Sequence, residues 1–299
     1  MFFTICLNPT LQKTLHFNSI VPGAVNRTGS HRLDVSGKGI NVTRVLTQLG
    51  KEAVHLTQLG GDMKSLFLSL CEQDKLTMEW VESNSQIRFC YTLLTESDGS
   101  VTELVEESEP VAAETEIILL ERFNHLLENG LSNKNSSSVI PHFLIISGTK
   151  AAGFSDTIIP VMVQKAKEKG LRIILDIRGK DLIECLKYEP DIIKPNLDEF
   201  IDTFKTEPTK EILTDMAQKH KCRIILTNGS RNILAAEREN FYSIDIKPVK
   251  AVNTIGCGDA FTAGLAAALS DDAAFVTAIH KGIRCGALNA GFEKPGVIC

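Results

Sequence analysis

The stretch Asn253-Thr254-Ile255-Gly256-Cys257-Gly258-Asp259-Ala260-Phe261 sets two glycines around one small residue, follows them with an aspartate and runs straight into a helical pattern. A glycine-rich turn at the head of a helix aims free backbone N–H groups at one spot, at the positive end of the helix dipole, and so makes an anion site. A carboxylate set there repels the anion unless it has a task. One such task is to accept the proton of a hydroxyl that attacks a bound phosphoryl group. The helix end should keep Asp259 ionised, a weak base but a well-placed one. The plainer alternative is that Asp259 caps the helix while the glycines make a tight turn, and spacing alone leaves both open.

Three other loops have related chemistry. In Val35-Ser36-Gly37-Lys38-Gly39-Ile40-Asn41, glycines again precede a helix, with an ammonium between them and a carboxamide one turn in. Backbone amides and Lys38 suit a phosphate or sugar hydroxyls, although a solvated lysine at an ordinary helix entry has the same pattern. In Ile193-Lys194-Pro195-Asn196-Leu197-Asp198-Glu199, an apolar strand ends in lysine and a helix opens at once. Lys194, Asn196 and Glu199 could meet phosphates and hydrated Mg²⁺ there, and Asn196 with Glu199 also reads as a capping box. Leu226-Thr227-Asn228-Gly229-Ser230 is a further strand-end loop suited to a nucleotide.

Several chemistries are not supported. G-x-S-x-G, H-E-x-x-H and the Walker A pattern are absent, and Phe261 stands where the third glycine of a dinucleotide fingerprint belongs. The eight cysteines show no C-x-x-C spacing, which argues for reduced thiols rather than a disulfide framework or a zinc site. The formal net charge of −5 argues against a nucleic-acid partner. No apolar run approaches the roughly 20 residues of a membrane span, and Met1–Thr10 lacks the basic start of a signal peptide. A cytoplasmic protein without a membrane partner is expected.

Parallel β-α units would position these loops. Strands are expected at Phe2–Leu7, Ala53–Leu59, His142–Ser147, Leu171–Asp176, Asp191–Lys194 and Lys221–Thr227. Helices are expected at Gly37–Leu49, Met63–Gln73, Ser155–Lys169, near Lys180–Lys187, from Asn196, and through most of Asp259–Ala290. Such alternation implies a mainly parallel sheet covered on both faces, in a single domain over residues 1–299. Two stretches break it. Residues 12–35 show weak strand patterns, and 87–106 read as a hairpin turning at Ser97-Asp98-Gly99. Both are expected to form an exposed antiparallel appendage. Ser132–Ser138 reads as a polar loop.

Taken together and in this order, the loops resemble the PfkB (ribokinase-like) sugar kinases, most closely the branch of 1-phosphofructokinase and tagatose-6-phosphate kinase. The matching stretches are Thr4–Pro9, Asn26–Arg27, Gly37–Leu46, Leu59–Asp62, Arg88, Ser147–Thr149, Ile193–Glu199 and Asn253–Gly264. The resemblance implies a three-layer α/β/α fold with a small β lid, made here by residues 12–35 and 87–106 and often a dimer clasp. It implies ATP, Mg²⁺ and in some members a monovalent cation.

It implies that Asp259 is the catalytic base and that Gly256, Cys257 and Gly258 form the anion hole. Lys194, Asn196 and Glu199 would face the ATP phosphates and Mg²⁺, the latter two through water. Thr227 and Gly229 would lie along the nucleotide, with Asn289 on the adenine side. Gly37, Lys38, Asn41 and Arg88 would hold a phosphosugar, and a homodimer would form through the lid. Gln12 departs from the pattern, because the branch usually has an aspartate there to contact sugar hydroxyls. The implied activity is phosphorylation of fructose 1-phosphate, tagatose 6-phosphate or fructose 6-phosphate. The alternatives are a kinase for another sugar or nucleoside and a non-catalytic sugar-phosphate-binding protein on the same fold.

Overall fold

The computed structural model describes residues 1–130 and 142–299, so the Ser132–Ser138 loop lies outside the described residues. The chain runs β1 (Phe2–Ile5), β2 (Thr10–Phe17), β3 (His31–Ser36), α1 (Lys38–Gln48), β4 (Ala53–Gly60), α2 (Lys64–Gln73), β5 (Thr77–Ser83), β6 (Arg88–Thr95), β7 (Val101–Val105) and α3 (Ala113–Asn129). It continues through β8 (Phe143–Ser147), α4 (Ile158–Glu168), β9 (Arg172–Asp176), α5 (Gly179–Cys185), β10 (Ile192–Ile193), α6 (Leu197–Phe204), α7 (Lys210–Lys219), β11 (Arg223–Leu226), β12 (Ile233–Glu237), β13 (Asn240–Ile244), α8 (Cys257–Ser270) and α9 (Phe275–Asn289). No helix among the described residues is long and apolar enough to cross a membrane.

Nine strands form one sheet in the order β13-β12-β11-β10-β9-β8-β1-β4-β5, parallel from β11 through β5 and antiparallel only at the β12–β13 end. Its central strands, β1, β8, β9, β10 and β11, are short and mostly apolar because both faces are covered. Successive residues enter opposite cores. Phe3 and Ile5 pack with Leu144, Ile146 and Leu175 under α3 to α7, while Phe2 packs with Ile145 and Ile174 against α1, α8 and α9. The three-layer α/β/α arrangement follows from that alternation. The strand-end residues of the conspicuous loops, Asp176, Lys194 and Thr227, lie along one edge because β9, β10 and β11 run parallel.

The two stretches that break the alternation come together as a second sheet, ordered β3-β2-β6-β7. Its hairpin pairs β2–β3 and β6–β7 are antiparallel, and β2 runs parallel to β6 where the hairpins meet. The apolar side of this lid sheet, with Leu11 and Val35, packs on Leu59 and Phe67. Elements that the sequence pattern does not mark include β5, β12 and β13. β5 and β13 are the outer strands of the large sheet, so most of each is only partly covered and carries polar residues that blur the alternation.

Candidate active site

Helix α8 begins at Cys257, two residues before Asp259, with Gly256 as its N-cap at φ 83°. That conformation suits glycine, and a Cβ there would also lie 3.0 Å from the Gly296 nitrogen and 3.1 Å from the Pro295 Cα. The C-terminal segment thus buttresses the loop. Asp259 is the third helical residue, and no side chain caps α8, so the capping alternative does not apply. Cys257 N–H donates to the Thr254 carbonyl at 3.3 Å, while the Gly258 and Asp259 amides have no intrahelical acceptor and are available to an anion.

Asp259 is buried, and its Oδ2 accepts a hydrogen bond from Asn41 Nδ2 at 2.8 Å. Burial pushes its carboxyl up to about 6, against the pull of Lys38 and with Asp176 adding to the rise. The helix end therefore does not hold Asp259 at an ordinary carboxylate value. Desolvation outweighs the dipole and moves the group toward the range of a useful general base.

Next to it lies a charge cluster centred on Asp176, which the sequence motifs do not mark. Its one signal is an acid ending the apolar run of a buried parallel strand. Asp176 Oδ2 accepts from Lys194 Nζ at 3.0 Å and Thr262 Oγ1 at 3.1 Å, and Lys38 Nζ reaches Oδ1 at 3.5 Å. Burial opposes the charge on Asp176, but Lys194 and Lys38 outweigh it and hold the carboxyl below its usual range. Lys194 is itself buried, with its ammonium 3.9 Å from where a Cβ on Gly258 would stand, hence beside the anion loop.

Lys38, expected against the sugar's phosphate, instead has its ammonium between Asp176 and Glu199, the latter at 3.3 Å. Asp176, Glu199 and Asp259 all raise its pKa, against the cost of burial. Asn196 and Glu199 form the capping box of α6: Glu199 N–H donates to Asn196 Oδ1 at 2.8 Å, and Asn196 N–H to Glu199 Oε2 at 2.9 Å. Glu199 Oε1 remains turned to Lys38.

On one side of the cluster a cavity of about 400 Å³ is lined by Asn196, Thr227, Gly229, Gly258, Phe261 and Ile283, among others. Asn289 does not open on it. Its Nδ2 donates to the Ile255 carbonyl at 2.9 Å and its Oδ1 accepts from Gly296 N–H at 2.6 Å. It braces the anion loop against the C-terminal segment from inside.

On the other side is the polar face of the lid sheet. Register sets Gln12 opposite Asp34 and Cys90, and Thr10 opposite Ser36 and Arg88, so these side chains share a face. Asn41 Nδ2, 3.5 Å from Ser36 Oγ, joins that face to Asp259. Gln12 is buried and donates to Thr92 Oγ1 at 2.6 Å, while Arg88 Nη1 donates to the Glu106 carbonyl at 3.0 Å. Gly37 caps α1 at φ 114°. Gly39 fits tightly beneath, since a Cβ there would meet the His55 ring at 2.7 Å.

A buried carboxylate, a helix N-terminus and two ammonium groups thus stand between a nucleotide-sized cavity and a polar sheet face, an arrangement able to support phosphoryl transfer to a hydroxyl. Comparison with known proteins agrees. The family described as pfkB family carbohydrate kinase matches residues 7–296. A tagatose-6-phosphate kinase of Staphylococcus epidermidis is 29% identical over a 307-residue alignment covering 100% of this chain and 94% of that protein. Phosphofructokinase-2 from Escherichia coli, solved in complex with potassium, has a TM-score of 0.86 at 21% identity, covering 99% of this chain and 94% of that one. Its tetrameric inhibited form gives 0.84 at 23%, covering 97% and 93%. At these identities the solved structures speak for the fold.

Proposed function

The chain belongs to the pfkB family of carbohydrate kinases, and from that premise we propose that it transfers the γ-phosphoryl group of ATP to a hydroxymethyl group of a phosphorylated ketohexose, with Asp259 as general base. The observation that carries this reading is the buried Asp259 carboxylate, held by Asn41 at the N-terminus of α8 beside Lys194. In the step, the hydroxyl oxygen forms a bond to the γ-phosphorus as the bond to the ADP oxygen breaks. Asp259 takes the hydroxyl proton and ADP carries the electron pair away. Amides of Gly256 and Gly258 stabilise charge developing on the phosphoryl oxygens, and Lys194 assists. The ATP base and ribose would lie along Thr227 and Gly229.

Asp176 and Glu199 are balanced by Lys38 and Lys194, so Mg²⁺ beside Glu199 would take most of its ligands from water and the ATP phosphates. Mg²⁺ held there through water, with Asn196 nearby, would screen the phosphate charge. A monovalent cation is a further proposed cofactor. Arg88, from the polar lid face, is assigned to the phosphate already on the sugar, with Gly37 and Asn41 on the sugar itself. Lys38 is reassigned toward the transferred phosphoryl group. A homodimer through the lid is supported by the edge strand β7, where Leu104 and Val105 are exposed. The proposed site of action is the cytoplasm.

Gln12 supports a second reading. Its amide stands where the branch has an acid, and it is engaged with Thr92, which suits a kinase for a different sugar. A coupled ADP-release assay against fructose 1-phosphate, fructose 6-phosphate, tagatose 6-phosphate and free sugars separates the two. Far faster turnover of an unphosphorylated sugar would refute the phosphosugar assignment, and no ADP release with any of them would refute the kinase.

A further inference from the structure

Asn41 can present either of two atoms to Asp259, and its shape does not decide which. A carboxamide turned by half a revolution keeps its outline while exchanging an acceptor for donors. Arg44, one turn further along α1, decides it. Arg44 is almost wholly buried, at 4% exposure, and each guanidinium nitrogen has an acceptor within 3.0 Å. Nη1 donates to Asn41 Oδ1 at 2.9 Å and to the Pro295 carbonyl at 2.7 Å; Nη2 donates to the Val35 carbonyl at 2.7 Å; Nε donates to Asp74 Oδ2 at 3.0 Å. Arginine offers only donors and does not deprotonate in proteins, so the Asn41 atom facing it must be the oxygen. The Asn41 amino group then faces Asp259.

We propose that Arg44 is a positioning residue for the base: it locks the Asn41 carboxamide so that Asp259 is anchored through Oδ2, leaving Oδ1 for the attacking hydroxyl. The inference rests on Asp259 being that base. The same guanidinium ties together the lid strand β3 at Val35 and the C-terminal segment at Pro295, which abuts Gly256. Lys294 extends the network by bridging Asp74 and Asp34 of the lid. Base, anion loop and lid therefore share one buried support.

Without Arg44 the Asn41 amide is free to turn its oxygen toward the carboxylate. Repulsion between acceptors then favours protonated Asp259 and loosens its position. The other charged or titratable groups that act on Asp259 are Lys38 of α1, Asp176 of β9, Lys194 after β10, Cys6 after β1 and Cys257 of its own helix. None is a hydrogen-bond partner of Arg44 among the described residues, so an Arg44 substitution leaves their direct bonds in place.

The test is the pH dependence of kcat for the parent, Arg44→Gln and Arg44→Lys, each repeated with Asn41→Ala, with Asp259→Asn as control. The acid limb should move to higher pH by about half to one unit in the Arg44 variants, with kcat at neutral pH about tenfold lower. KM for ATP should stay near the parent. No further shift should appear on the Asn41→Ala background. Arg44→Lys keeps a cation opposite Asp74, so it decides the matter if Arg44→Gln does not fold. A limb that stays in place while the melting temperature falls would make Arg44 merely structural, as would an equal shift without Asn41. An active Asp259→Asn enzyme would instead overturn the base itself.

Discussion

Replacing Asp259 with asparagine changes one atom in a buried carboxylate, and chemistry and stability should respond in opposite directions. The carboxyl titrates near 6 rather than at 3.8 because burial disfavours its ionised form. Ionisation in the folded state therefore costs stability. The penalty is absent below about pH 4, grows between pH 4 and 6, and is full above pH 6. At about 1.36 kcal/mol per pK unit, its full size is about 3 kcal/mol. Asparagine keeps an oxygen for Asn41 and carries no charge. The variant should be more stable than the parent by up to that amount at pH 8, about 5 °C in melting temperature for a chain of this size. The gap should close as the pH falls toward 4.

Catalysis should suffer. Loss of a general base typically costs about 10²–10⁴-fold, or roughly 3–5 kcal/mol of barrier. ATP should bind at least as tightly, because the carboxylate no longer repels the γ-phosphate. The assay combines kcat by coupled ADP release, ATP affinity by calorimetry, and melting temperature from pH 4 to 8. A variant with near-parental kcat would refute the base assignment. A variant less stable than the parent at pH 8 would refute the account of burial, since it would mean that the charge was stabilising the fold.

Arg88→Ala should raise KM for the sugar phosphate about ten- to hundredfold, the loss of a charge-assisted contact of about 1.5–3 kcal/mol, with ATP affinity unchanged; initial rates with each substrate varied decide it, and a parental KM would remove Arg88 from the site. Gln12→Asp should lower KM for a ketohexose phosphate several-fold, because a carboxylate accepts stronger hydrogen bonds from sugar hydroxyls. A raised KM in the same assay would refute the preference for a carboxylate there, and an unchanged one would count against Gln12 as a sugar contact. Lys194→Met should cost about 3–5 kcal/mol in urea unfolding, since it strips Asp176 of its closest buried cation. Adding Asp176→Leu should return much of that stability without returning turnover; a double variant as unstable as the single one would argue against the pair as the cause.

The parallel layers were legible because buried strands have little choice of residue. Runs such as Phe2-Phe3-Thr4-Ile5 and Phe143-Leu144-Ile145-Ile146 are apolar on both faces since helices cover both. The outer strands β5 and β13 escaped because solvent on one side admits polar residues. Motif loops were legible for a related reason: glycine at positive φ, as at Gly256 and Gly37, leaves few alternatives for the backbone. Asp176 and Arg44 were not legible. Each looks ordinary in sequence, an acid ending a strand and a base within a helix, and each is recognisable only beside its folded partners, Lys194 and Lys38 for Asp176, Asn41 and Pro295 for Arg44.

The same distinction explains the reassignments at the site. A motif tells which loop a residue sits on but not which way its side chain turns, because that depends on the charges it finds. Lys38 shares a loop with Gly37 and lies near the sugar side, yet Asp176 and Glu199 offer two carboxylates within 3.5 Å, and its ammonium goes there. Asn289 lies at the end of a helix whose neighbouring residues Gly286, Ala287 and Ala290 line the cavity, yet the Ile255 carbonyl and Gly296 N–H draw its amide inward. A residue with both a donor and an acceptor is most useful where backbone groups would otherwise be buried without partners. The anion loop needs such bracing, because Ile255 and Cys257 N–H are spent within the loop and the Gly256 and Gly258 amides must stay uncommitted if a phosphate is to bind them.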